Sequence, residues 1–263
     1  MHAIDFAGQA VIVTGGTRGI GAGIAQAFLS AGADVAVCGR TEPEAVPAAA
    51  GRCAVFVQAD VREPEQARRL VNEAAGRFGR LDVVVSNAGG APPVAAASAS
   101  PRFHARVIEL NLLGPLHVAQ AANAVMQQQD GGGSIIMIGS VSGVRTSPGA
   151  AAYAAAKAGL HHLAATLAVE WAPKVRVNTV IPGPVTTGAG AASHYGGAAA
   201  QAAVGATVPM GRMATPGDVA DACLYLASPL AAYVTGAALL VHGGGELPAY
   251  LAAAQPPPPP PGQ

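Results

Sequence analysis

The sequence carries little charge and few aromatic residues: 11% of its 263 residues are Asp, Glu, Lys or Arg, and 4% are Phe, Trp or Tyr. Its 15 basic and 15 acidic side chains cancel to a formal net charge of zero. No general basic field is therefore available to gather nucleic-acid phosphates. Disorder is excluded too, because it requires high charge and low hydrophobicity and 51% of the residues are hydrophobic. A charged fraction below half of the roughly 25% usual in soluble domains raises a membrane-spanning reading. That reading fails in the uncharged stretch Pro182 to Gly211, where Gly, Ser, Thr, His and Pro interrupt and Ala rather than Leu or Ile supplies the apolar count. Cysteine is scarce: Cys38, Cys53 and Cys223 show no CxxC spacing, so neither a disulfide framework nor a metal site is expected, and all three are read as small buried hydrophobes. The segment Met1 to Phe6 lacks a basic stretch followed by an apolar run, so no secretory signal is expected and the cytoplasm is the expected location.

What the chain does have is an alternation of short apolar runs and helical periodicity. Ala10 to Thr14, Asp34 to Cys38, Cys53 to Val57, Leu81 to Ser86, Ser134 to Ile138, Val175 to Ile181 and Ala237 to Val241 read as strands, the first a continuous apolar run of the kind buried on both faces. Helices are expected over Gly19 to Ala31, Pro64 to Phe78, near 101–113 and 114–128, over about 151–171, and over Pro216 to Ala227. Pro43 and Pro47 allow only a short helix between the second and third strands. This alternation predicts an α/β fold, a doubly wound, parallel, seven-stranded sheet with helices on both faces, in a single domain over 1–247. Residues 248–263 end in Pro256 to Pro261 and are expected to form an extended tail, with a proline-rich ligand for an adaptor domain as the other reading.

Between the first strand and first helix lies Gly15-Gly16-Thr17-Arg18-Gly19-Ile20-Gly21. Glycines there let backbone approach a pyrophosphate, and the helix N-terminus turns its N–H groups toward it. The spacing is Gly-x-x-x-Gly-x-Gly, which is neither Gly-x-Gly-x-x-Gly nor a phosphate loop ending in Lys-Ser/Thr. At the end of the second strand, where a carboxylate would hold the ribose of NAD, the chain has Gly39-Arg40-Thr41 and no acid before Glu42. Arg40 and Arg18 together favour the additional phosphate of NADP, with NAD left open.

Tyr153 and Lys157 lie four apart in the 151–171 helix and so share a face, where a positive charge favours the phenolate. Ser140 ends the fifth strand thirteen residues before Tyr153, Asn87-Ala88-Gly89 follow the fourth, and Asn111 closes a helical segment. Ser142 is the other serine within reach. Adjacent His161 and His162 cannot form an i, i+4 metal pair and are read as surface or core residues. Gly139 to Gly143 is no hydrolase nucleophile elbow, because its middle residue is Val141.

Over about residues 8–245 the chain resembles the short-chain dehydrogenase/reductase family, in its single-domain branch, which includes the 3-oxoacyl-acyl-carrier-protein reductases. The resemblance rests on the Thr14 to Gly21 loop, Asp60-Val61, Asn87-Ala88-Gly89, Asn111, Ser140, Tyr153 with Lys157, and Pro182-Gly183-Pro184-Val185-Thr186-Thr187. It implies a Rossmann fold and an NAD(P)-dependent oxidoreductase acting between an alcohol and a carbonyl. Residue by residue it implies that Tyr153 donates the proton, Ser140 binds the carbonyl oxygen, Lys157 binds the nicotinamide ribose and depresses the Tyr153 pKa, and Asn111 holds a relay water. Gly15, Thr17, Arg18, Gly19, Ile20, Gly21, Arg40, Asn87, Ala88 and Gly89 would line the dinucleotide, with Asp60 and Val61 at the adenine and Pro182, Gly183, Val185 and Thr187 at the carboxamide. Ser86 and His242 depart from the family's usual Asn and Asp.

Segment 184–211 falls where the family keeps its substrate lid, and its few charges leave 3-oxoacyl thioesters and alicyclic or steroid-like ketones open as substrates. Enoyl reduction typically uses a wider Tyr-to-Lys spacing. The resemblance also implies a homotetramer built through helices near 101–128 and 151–171, with no nucleic-acid or membrane partner. The competing readings are a dinucleotide-binding sensor without turnover, disfavoured by the complete Asn111, Ser140, Tyr153 and Lys157 set, and an extended-branch epimerase, disfavoured by the lack of a second domain.

Overall fold

A computed structural model describes residues 4–188, 194–250 and 254. Seven strands form one sheet: β1 (Ala10–Thr14), β2 (Asp34–Gly39), β5 (Val55–Gln58), β6 (Val83–Ser86), β7 (Gly133–Ile138), β8 (Val175–Pro182) and β9 (Ala238–Val241). Their order is β5-β2-β1-β6-β7-β8-β9, every pairing is parallel, and Val11 faces both Val35 and Val83 in register. Parallel pairing puts every strand's carboxyl end at one edge, and the direction of winding reverses between β1 and β6. Such a reversal opens a crevice at that edge.

Alternate strand residues feed two cores. Ile12, Ala36, Val84, Ile135 and Val177 pack under α2 (Pro64–Phe78), α4 (Gly114–Met126) and α5 (Ala151–Trp171). Val13, Val37, Val85, Ile136 and Val180 pack on the other face under α1 (Gly19–Ser30) and α7 (Pro216–Ala227). Each of these Val and Ile side chains, fully removed from water, stabilises the fold by about 1.5–3 kcal/mol. Small residues bring the layers close: a Cβ on Gly23 of α1 would lie 2.5 Å from the Pro216 ring that opens α7. That helix starts with a capping box, in which the Thr215 hydroxyl accepts from the Asp218 N–H and the Asp218 carboxylate accepts from the Thr215 N–H. The remaining helices are α3 (Pro101–Ile108) and α6 (Ala198–Ala206).

The expected strands and helices are present, with three local corrections. The third strand of the sheet begins at Val55 rather than Cys53, because Cys53 pairs antiparallel with Ala48 in a short hairpin of β3 (Ala48–Ala49) and β4 (Arg52–Cys53), turned by Ala50 and Gly51 at φ 51° and 72°. Cys53 is consequently exposed, while Cys38 and Cys223 are buried as expected. Second, no helix forms between β2 and β3. Third, the expected 101–113 helix stops at Ile108 and becomes a π-helical turn, Glu109–Leu113, before α4 starts. Pro115 is the cause the sequence offers: it has no N–H to give to the carbonyl of Asn111, four residues earlier. No described helix is long and apolar enough to cross a membrane. Most of the expected proline-rich tail lies outside the described residues, as do residues 189–193 of the expected lid.

Candidate active site

The floor of the crevice is a hydrogen-bonded clip between the ends of β1 and β6. The buried Thr14 Oγ1 accepts from the N–H groups of Asn87 and Ala88, both at 3.0 Å. The Asn87 side-chain amide donates to the carbonyls of Thr14 and Gly15 at 2.9 and 3.2 Å. Close approach explains the glycines: a Cβ on Gly15, which has φ +60°, would stand 3.0 Å from the Ala88 Cα, and one on Gly21 would stand 2.3 Å from the Gly15 carbonyl oxygen. Gly19 opens α1 with its Cα side facing Thr187, 3.5 Å from where a Cβ would be. Arg18 is the N-cap of α1 in extended conformation, no side chain caps the helix, and its first turn holds no acid. The first N–H groups of α1 are therefore left for a ligand.

The next two strand ends carry the expected contrast in charge. Arg40 is exposed beyond β2, its carbonyl held by the Gln58 side chain at 2.9 Å. Neither Arg18 nor Arg40 has an ion-pair partner among the described residues, whereas Arg52, Arg62, Arg69, Arg80 and Arg212 each do. Asp60, expected at the adenine, has an ion-pair partner of its own. Its carboxylate is clasped by Nε and Nη2 of Arg62, which hold it below the usual carboxylate range, with Arg40 a lesser positive neighbour. Val61 is buried, and its carbonyl faces Nδ1 of His117 on α4 at 3.3 Å.

On α5, Tyr153, Lys157 and His161 stand one turn apart on one face. Lys157 is 3% exposed and donates to the Ile138 carbonyl at 2.7 Å, with Nζ 5.7 Å from the Tyr153 ring centre. Burial brings its pKa down to about 8. Gly89 closes over it, since a Cβ there would lie 3.3 Å from Nζ and 2.7 Å from Asn111 Oδ1. Burial pushes the Tyr153 phenol above its ordinary value, and the neighbouring Ser140 hydroxyl opposes that rise. Ser140 Oγ accepts the Ser142 N–H at 3.1 Å, capping the 3-10 turn Val141–Gly143. With that lone pair used, the hydroxyl proton is free to be donated.

The Asn111 side chain is fully engaged. Its amide donates to Gly90 O at 3.0 Å and Val107 O at 2.9 Å, and its Oδ1 accepts from Gly90 N at 2.8 Å. The Asn111 main-chain carbonyl faces a different constraint: four residues on, Pro115 has no N–H to give to it. Beyond β8, Gly183 N–H donates to Val241 O at 3.0 Å, and Val185 bridges Ala214 while Thr186 N–H donates to Ala214 O at 2.8 Å. This fixes Pro182 to Thr187 across the crevice from the glycine loop. Tyr195 stands near Tyr153: burial raises its pKa, and Tyr153, Arg145 and Glu246 are its charged or titrating neighbours. Arg145 and Glu246 form an ion pair. Arg62 and Pro115 were not singled out from the sequence, and His161 was read only as a surface or core residue; Pro115 alone is legible there, as a helix breaker inside a helical pattern.

The close glycine backbone, the unpaired N–H groups of α1 and the two arginines without carboxylate partners suit a dinucleotide. A family model described as enoyl-(acyl carrier protein) reductase matches residues 15–246. The chain is 40% identical over 249 residues to an uncharacterised oxidoreductase of Mycobacterium tuberculosis, covering 91% of this chain and 93% of that one. It is 38% identical over 254 residues to the L-fucose dehydrogenase of Bos taurus, covering 92% and 91%. Among solved structures it is similar to the ligand-free aldohexose dehydrogenase of Thermoplasma acidophilum, with TM-score 0.84, 28% identity, and 97% and 98% of the chains covered. The chain belongs to the short-chain dehydrogenase/reductase family and is an NAD(P)-dependent oxidoreductase.

The buried lysine makes stability depend on pH. Unfolded, Lys157 titrates near 10.5; folded, near 8. The unfolded chain binds that proton more tightly, so the ammonium opposes folding below pH 8, and the penalty is relieved as pH rises toward 10.5. In denaturant titrations without dinucleotide, Lys157→Met is expected to gain on the wild type most at pH 7, and the difference to shrink between pH 8 and 10.5. A difference independent of pH would contradict a buried, charged lysine.

Proposed function

We propose that the chain catalyses NADP(H)-preferring hydride transfer between nicotinamide and a carbonyl or secondary alcohol. The observation that carries this reading is the convergence of the Ser140 hydroxyl, the Tyr153 phenol and the buried Lys157 at the carboxyl edge of the sheet, beside the winding reversal. When bound, the dinucleotide supplies the hydride, and the chain supplies position and acid. Tyr153 donates its proton to the carbonyl oxygen, and Ser140 donates a hydrogen bond to the same oxygen. The positive charge of Lys157, one turn away, favours the phenolate that remains. Lys157 also holds the nicotinamide ribose hydroxyls, and the Asn111 carbonyl keeps the water that returns protons from solvent.

Gly15, Thr17, Gly19, Ile20 and Gly21 cradle the pyrophosphate, Asn87, Ala88 and Gly89 line its floor, and Asp60 and Val61 flank the adenine. Pro182, Gly183, Val185 and Thr187 hold the carboxamide. Arg18 and Arg40 grip the additional phosphate of NADP. The spacing of four between Tyr153 and Lys157 supports a carbonyl rather than an enoyl substrate. The substrate classes to compare are 3-oxoacyl thioesters, alicyclic or steroid-like ketones and, from the names of the bovine and Thermoplasma relatives, hexoses.

The chain assembles as a homotetramer through α3, α4 and α5. Supporting this, the exposed stripe Ala155, Ala158, His162, Thr166 and Val169 of α5 carries no formal charge. A single monomer species in sedimentation velocity at micromolar concentration would contradict it. Across those substrate classes with NADPH, Tyr153→Phe is expected to lower turnover by about 100-fold or more; unchanged turnover would remove Tyr153 as the acid. Arg40→Ala is expected to raise KM for NADPH by about tenfold, the loss of one charge-assisted hydrogen bond, and to leave KM for NADH unchanged.

A further inference from the structure

His161 is the group in this neighbourhood for which the proposed chemistry has no use. It lies one turn beyond Lys157 and two beyond Tyr153, half-buried, while the adjacent His162 is exposed. The Ser140 main-chain N–H points at its Nε2, 3.4 Å away. Two glycines flank the ring. A Cβ on Gly139 would stand 2.3 Å from His161 Nε2, and one on Gly143 would stand 2.7 Å from His161 Cε1 and equally close to the Ala158 nitrogen. Neither glycine has a positive φ. Their missing side chains therefore answer to this ring and this helix, not to a backbone conformation that only glycine reaches.

We propose that His161 is a positioning residue for Ser140: its neutral imidazole, seated between Gly139 and Gly143, accepts the Ser140 N–H through Nε2 and thereby sets where the serine hydroxyl stands beside Tyr153. The assignment of Ser140 as carbonyl ligand rests on the function proposed above; the hydrogen bond itself does not. An imidazole can accept there only with its proton on Nδ1. Burial, and to a lesser degree the facing Lys157 ammonium, bring the His161 pKa down to about 4, so the ring stays an acceptor throughout the neutral range. Ser140 is then held at three points. Its N–H goes to His161, its Oγ accepts from Ser142, and its carbonyl accepts from Gly143 at 2.9 Å, leaving the hydroxyl proton as its outward group.

Two measurements test this. The first needs no substrate: nitrogen-15 NMR of the imidazoles, with the His161 signals assigned by their loss in His161→Gln. The expected result at pH 7 is a neutral ring protonated on Nδ1, unchanged down to about pH 5; an Nε2-protonated ring or an imidazolium at pH 7 overturns the proposal. The second compares His161→Phe, which keeps a ring but has no acceptor, with His161→Gln, whose Oε1 can accept. With any carbonyl the wild type reduces, His161→Phe is expected to lose about 10- to 100-fold in kcat, as a displaced reacting group does, with KM for the dinucleotide within about twofold, and His161→Gln to recover most of the loss. Equal kcat in all three proteins, or equal losses in both variants with their thermal transitions unchanged, overturns it. Were no carbonyl reduced by the wild type, the proposed function would fall and the tautomer measurement would still decide the hydrogen bond.

Discussion

The hydrogen bonds between Thr14 and Asn87 hold together the place on which the rest of the site depends. A parallel sheet collects the carboxyl ends of its strands at one edge, but at the reversal between β1 and β6 the loops leave toward opposite faces and nothing in the ladder joins them. The Thr14 hydroxyl and the Asn87 amide make that join, each using more than one of its hydrogen-bonding positions. With the floor closed, Gly15 and Gly21 can lie against Ala88 and Asn87 while α1 starts with its N–H groups turned outward. The glycine loop is thus held in place by another strand end.

The opposite wall is α5. Residues four apart on one face of a helix form a column, and here the column is Tyr153, Lys157 and His161, a phenol, an ammonium and an imidazole, all drawn from a chain with few polar side chains to place. The ammonium meets Ile138 O at the end of β7, and the imidazole meets the next-but-one residue, Ser140. Scarcity of charge and abundance of Ala and Gly are two sides of one arrangement. Small residues let α5 sit close enough to β7 for these bonds to form, and closeness is what removes Lys157 from water and brings its pKa down.

Much of the fold was readable because strands and helices repeat with different periods. Ala151–Trp171 and Pro216–Ala227 have the limits expected of them, the latter because Thr215, Pro216 and Asp218 are a local start signal. The limits moved where a second local signal competes: Cys53 left the third strand for the tight hairpin with Ala48, and the helix through Asn111 took an extra residue in its turn ahead of Pro115. The nature of the candidate site was readable as well, since the glycine loop, Ser140, Tyr153 and Lys157 stand in recognisable order.

What the order of residues determined by itself is the doubly wound sheet, the family, and which side chains can do chemistry, because each follows from spacing along one chain. Only the tertiary structure decided how those side chains are engaged. It placed Arg62 on Asp60, filled the Asn111 side chain with Gly90 and Val107, aimed Lys157 at Ile138, and seated His161 between two glycines. All but the first are contacts between segments brought together by packing, and the energies involved are those of desolvation and of a hydrogen bond's direction. Neither can be read from spacing, because both depend on what stands within a few ångströms after the chain has folded.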